Sequence, residues 1–112
     1  MQPRQYIEVR FQVVGYHNWP DAPDDVDFLR GRHRHTFHFR IRMLVEHGNR
    51  ALEFITVRNR LEWTVRSLDG DFGSRSCEQL AEWLYGRSNY SHSITEIGVS
   101  EDGEFEGILK WE

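Results

Sequence analysis

The chain has 112 residues, of which 38% are hydrophobic and 29% charged, with a formal net charge of −4. Its aromatic residues can furnish one small core, but no apolar run approaches the ~18 residues of a membrane span. A single cysteine, Cys77, excludes an internal disulfide and a cysteine-based zinc finger, and the acidic balance argues against nucleic acid as the main partner.

In chain order, Met1-Gln2-Pro3-Arg4-Gln5 lacks the apolar centre of a signal peptide, and with the lone cysteine this predicts a cytoplasmic protein. Ile7, Val9, Phe11 and Val13 alternate with Glu8, Arg10 and Gln12, the pattern of a half-buried strand over residues 6–14. Residues 18–32 carry Pro20, Pro23, Gly31 and the acidic group Asp21, Asp24, Asp25 and Asp27, which reads as a long loop. A second strand spans 33–45, with His33, His35, Phe37, Phe39, Ile41, Met43 and Val45 on one face. Gly48-Asn49 supplies a turn, and Ala51–Glu53 reads as a short returning strand.

The period then changes. Phe54, Val57, Leu61, Val65 and Leu68 recur at helical spacing, and Asp69–Arg75, with two glycines, breaks the helix. Ser76-Cys77-Glu78-Gln79 is a capping-box pattern opening a second helix with apolar positions Cys77, Leu80, Trp83 and Leu84 and a stop at Gly86. Ile94, Ile97 and Val99 mark a third strand and Phe105–Trp111 a fourth, joined at Asp102-Gly103 as a hairpin. Two strands, two helices and two strands predict one α+β domain over 1–112, an antiparallel four-stranded sheet with both helices on one face.

Three of the six histidines share a pattern. His33 and His35 lie two apart on a strand, so their Cβ atoms are about 6.5–7 Å apart on one face. His17 continues the parity of the first strand, and antiparallel pairing brings its end beside the start of the second. Three imidazoles with an open fourth position describe a catalytic zinc site. The plain alternative is a His-x-His strand pair that binds nothing. A cupin is a poorer reading, because Thr36-Phe37-His38-Phe39-Arg40 lacks the downstream glutamate and two mid-chain helices do not suit a jelly roll.

The ordered set of motifs resembles the 6-pyruvoyltetrahydropterin synthase and 6-carboxytetrahydropterin synthase family, zinc lyases of the tunnelling fold built on a ββααββ unit. Phe11–His17 resembles the family's Phe-x-Ala-Ala-His, and Arg32-His33-Arg34-His35-Thr36-Phe37 its Leu-His-Gly-His-Ser-Phe. Ala51-Leu52-Glu53-Phe54 is similar to Ile-Ile-Asp-Phe, and Ser76-Cys77-Glu78-Gln79-Leu80-Ala81-Glu82-Trp83 to Thr-Ser-Glu-x-Leu-Ala-x-Trp. Val99-Ser100-Glu101 resembles the C-terminal Val-x-Glu. The resemblance implies zinc on His17, His33 and His35, with Glu101 anchoring a pterin-like ligand at an interface of a homo-oligomer. A carboxylate suits a guanidine-like ring edge because it accepts two parallel N–H bonds.

Arg34 stands in place of the family's Gly, and two catalytic positions also depart from the family. Its catalytic cysteine, a glutamate in some relatives, falls at Leu29, which cannot transfer a proton. Its Asp-His pair falls at Asp69-Gly70, so the carboxylate is present and the imidazole is not. Asp27 and Asp69 are the candidate catalytic carboxylates, against a reading of both as loop or turn residues. Cys77, on the apolar stripe of the second helix, reads as core rather than nucleophile. Two functions stay open: a divergent zinc-dependent pterin lyase, and a non-catalytic relative with a binding or structural role. A third, from another class, is phosphate binding by Arg30, Arg32, Arg34, Arg40 and Arg42, which share one parity with His38. The plain alternative is a solvated or lumen-facing polar side of the sheet.

Overall fold

The computed structural model describes residues 2–111. Strand β1 (Gln5–His17) and β2 (His33–Val45) are joined by a loop with a 3-10 segment at Asp24–Leu29. Helices α1 (Phe54–Arg66) and α2 (Cys77–Arg87) follow, then β3 (Ile94–Glu101) and β4 (Phe105–Lys110). All strand pairs are antiparallel in the order β1-β2-β3-β4. The α+β architecture and the helices packed on one face match the sequence reading.

Alternation builds the core directly. Val9, Phe11 and Val13 of β1 face Ile41, Phe39 and Phe37 of β2, and Ile97 and Val99 of β3 extend the same surface. Val57, Leu61 and Val65 of α1 and Leu80, Ala81 and Leu84 of α2 cover it. The other face is polar and internally neutralised. Arg40 pairs with Glu96 and Glu106, and Arg42 with Glu8. Two of the three sheet arginines of the proposed phosphate stripe, Arg40 and Arg42, thus already have carboxylate partners, while Arg32 lies over the Tyr16 ring and Arg30 pairs with Asp24.

Three local expectations fail for local reasons. Ala51–Glu53 forms no strand: the chain bends there, and Glu53 accepts from the Ile55 and Thr56 amides as the N-cap of α1. Phe54, the first residue after that cap, therefore points away from the core and is exposed. Gly86 does not stop α2, which runs to Arg87 and is capped at Ser88.

The segment after α1 contributes more than a break. Phe72 is fully buried against Phe37 and Phe39. A Cβ on Gly15 would lie 2.4 Å from the Phe72 ring, so glycine is what admits that ring beneath β1. Tyr16 donates to the Gly70 carbonyl at 2.8 Å, Phe72 to the Tyr16 carbonyl at 2.9 Å, and Asn18 to the Gly73 carbonyl at 2.9 Å. These bonds clamp the end of β1 and fix the backbone that carries His17.

Candidate metal centre

The β1–β2 register sets His17 directly opposite His33 and Gly15 opposite His35. All three imidazoles emerge on the helix-facing side at the open end of the sheet. Their ring centroids are 4.6, 5.2 and 4.9 Å apart, and one nitrogen from each lies within 4.8 Å of the others. Phe37, fully buried, packs edge-on against His17 and His35 and forms an apolar floor.

The outer partners decide the tautomers. His17 Nδ1 lies 3.1 Å from the Arg75 carbonyl, His33 Nδ1 2.8 Å from the Gly31 carbonyl, and His35 Nδ1 2.6 Å from Asp102 Oδ2. Each partner is an acceptor, so each Nδ1 carries a proton, and in the neutral imidazole each Nε2 keeps its lone pair. His33 Nε2 and His35 Nε2 are buried without a hydrogen-bond partner. Orphaned buried acceptors are costly and require an explanation. Three convergent Nε2 atoms with Nδ1–H groups held by carbonyl and carboxylate fit the donor set and outer shell that a zinc ion would require. Burial lowers the pKa of His17, and the other two imidazoles act in the same direction, against the Arg75 carbonyl and Glu101.

Glu101 closes the open side. Its Oε1 is 3.3 Å from His17 Nε2 and its Oε2 3.4 Å from His35 Nε2. Cys77, at the first turn of α2, directs its thiol to Glu101 Oε1 at 3.8 Å. Burial, Glu101 and Glu78 push that thiol up to about 12, away from the range of a reactive thiolate. Beside the histidines opens a cavity of about 550 Å³, lined by Trp19, Leu29, His33, Cys77 and Glu101 among others. Leu29 is held there by the Trp19 amide, which donates to its carbonyl at 2.8 Å. The cavity wall is thus apolar at Leu29.

Asp27 and Asp69 are exposed and do not line this cavity. Asp69 sits at φ +54 and Gly70 at φ +76 in the turn after α1. The left-handed backbone there suits glycine. Asp102 is the residue that sequence reasoning placed only in a turn. At φ +57, followed by Gly103 at +82, it forms the β3–β4 turn, and its carboxylate also receives the Thr36 amide and His35 Nδ1. Those two bonds, His35 foremost, hold its carboxyl below the usual aspartate value. The side of the cavity contributed by Cys77 was legible only as helix stripe.

No family profile and no curated protein sequence matches the chain. Solved structures do. The 6-pyruvoyl tetrahydropterin synthase of Caenorhabditis elegans superposes with a TM-score of 0.71 at 12% identity, covering 98% of this chain and 97% of that one. An uncharacterized protein from Wolinella succinogenes gives a TM-score of 0.70 at 12% identity, over 99% and 100% of the two chains. The chain therefore has the tunnelling fold of 6-pyruvoyl tetrahydropterin synthase.

Proposed function

We propose that the chain is a divergent zinc protein of this fold that takes a pterin-like nitrogen heterocycle as its ligand, either as a lyase or as a binding protein. The observation that carries the reading is the cluster of His17, His33 and His35, with every Nδ1 committed to an acceptor and every Nε2 turned inward. Zinc at such a site supplies Lewis acidity toward a carbonyl or hydroxyl oxygen of the ligand. The protein's own part is to orient the three imidazoles, present Glu101 to an N–H-bearing ring edge and exclude water with Phe37, Trp19 and Leu29.

A second reading, binding without turnover, draws on a specific feature. Leu29 lines the cavity and Gly70 occupies the turn, so neither proton-transfer group of the resembling lyases has a counterpart at its own position. In the lyase reading that work falls to Asp27 or Asp69, and loss of turnover in Asp27→Asn or Asp69→Asn is its test. The polar sheet face and the open strand edges suit a homo-oligomer with ligand sites near subunit boundaries.

Metal analysis of protein purified without added metal tests the reading. The expected result is close to one zinc per chain, abolished in the His33→Ala/His35→Ala double variant. Less than about 0.2 zinc per chain with no gain on reconstitution would remove the assignment, because a three-histidine site holds zinc tightly. With zinc present, turnover of dihydroneopterin triphosphate distinguishes lyase from binding protein.

A further inference from the structure

We infer that Glu101 is a fourth, direct ligand of the metal, so that the centre of the ligand-free protein is a closed His₃Glu site rather than an open His₃ site. The inference rests on the zinc reading above and goes beyond it, since that reading uses Glu101 only as the anchor of an organic ligand.

The argument begins with lone pairs. The Nδ1–H groups of His17 and His35 are already donated, to the Arg75 carbonyl and to Asp102. In the neutral imidazoles their Nε2 atoms therefore point lone pairs, not protons, at the Glu101 oxygens. Acceptor facing acceptor at 3.3 and 3.4 Å is repulsive in a half-buried site unless a cation, a metal ion or a proton, lies between them. The same separations have a direct meaning in a tetrahedral site. Ligand bonds of about 2.0–2.1 Å to zinc set neighbouring ligand atoms about 3.3–3.4 Å apart. Glu101 Oε1 stands at that separation from His17 Nε2, and Oε2 from His35 Nε2, so each oxygen is at ligand-to-ligand distance from one imidazole nitrogen.

The elements around Glu101 hold it in this pose. It ends β3, paired with Phe37 on one side and Phe105 on the other, so its side chain shares the face of Ile97 and Val99. The Cys77 thiol lies 3.8 Å from Oε1, on the α2 side. No basic side chain is paired with Glu101 among the described residues other than His17 and His35. An anionic ligand without a competing arginine is what a dication site needs. One consequence bears on regulation of the site. The lone pairs that bind metal are those an organic ligand's N–H edge would use, so docking of such a ligand pulls Glu101 from the metal and opens a coordination position.

Cobalt(II) substitution with azide as the probe tests this. Apoprotein is titrated with Co²⁺ and the d–d absorption is followed before and after azide in large excess. The wild-type spectrum is expected to be tetrahedral and unchanged by azide. Glu101→Gln is expected to gain an azide-dependent spectral change, and its Co²⁺ affinity is expected to fall at least about tenfold, the lower bound for loss of even an outer-shell partner. Glu104→Gln, in the same hairpin, is expected to change neither. Azide binding to the wild-type cobalt protein would overturn the inference while leaving the three-histidine site standing, and that arm needs no variant to fold. Wild-type protein that takes up no cobalt would overturn the metal reading itself, and this inference with it.

Discussion

At the scale of single residues, the proposed centre depends on groups that would never touch the metal. A histidine is a precise ligand only when its far nitrogen is held, since rotation about its side-chain bonds otherwise spreads the lone pair over a wide arc. Here two holders are backbone carbonyls, at Gly31 and Arg75, and one is the Asp102 carboxylate. Only the last can be altered by substitution without changing the chain's path. Asp102→Asn keeps the shape and the Thr36 contact but replaces an anionic acceptor of the His35 proton with a neutral amide. The expected outcome is a fall in zinc affinity of about 10–100-fold with the thermal unfolding midpoint of the apoprotein little changed, read by competition with a chromophoric chelator. Unchanged affinity would mean that His35 is oriented by packing on Phe37 alone. The three histidines were legible in the sequence because strand parity is a two-residue rule that needs only the chain itself. Asp102 was not, because its partner lies 67 positions away and its own dipeptide already had a sufficient explanation as a turn.

At the scale of elements, the start of α2 links helix capping to the site. Ser76 accepts from the Gln79 amide, and the Gln79 side chain returns to the Ser76 amide, so both orphan donors of that turn are satisfied. The residue before the cap, Arg75, supplies the carbonyl that holds His17. Ser76→Ala is expected to cost about 1 kcal/mol of stability, measured by urea unfolding, and also to weaken zinc binding. A stability loss with unchanged zinc affinity would show that the Arg75 carbonyl is positioned by the 70–73 clamp alone. The capping box was readable as S-x-x-Q ahead of an apolar run, and both helices and all four strands were readable from their periods. Ala51–Glu53 misled because alternation over three residues is too short to separate a strand from the lead-in to a helix. There the capping strength of Glu53 decided the outcome. Phe72 was missed for a related reason: a lone aromatic between glycines carries no period, and its burial depends on a space at Gly15 that only the folded sheet reveals.

At the scale of the whole molecule, the sheet is open at both sides. The outer side of β1, 13 residues long, is met by the short bridge from Tyr16 to Asp71 and by the Arg58 side chain, which donates to the Arg10 carbonyl at 2.9 Å, and β4 ends the sheet opposite. Unpaired edges of this length invite pairing with another chain. The edges also carry apolar side chains without cover: Tyr6 and Val14 on β1, Phe105 and Ile108 on β4. An edge-to-edge contact of β1 with β4 of the next copy is heterologous, and such contacts close only as rings. Closure would turn the Arg40, Arg42, Glu8, Glu96 and Glu106 face inward, which accounts for a sheet surface whose charges are already paired with one another. The expected outcome is a closed homo-oligomer in sedimentation equilibrium at micromolar concentration. Phe105 is 75% exposed in the single chain. Burying such a ring is worth about 1.5–3 kcal/mol, so Phe105→Glu is expected to raise the dissociation constant at least about tenfold while leaving the circular dichroism spectrum of the monomer unchanged. A wild-type protein that remains monomeric up to the highest concentration measured would show that these edges are tolerated in isolation, and the ligand site would then have to be complete within one chain.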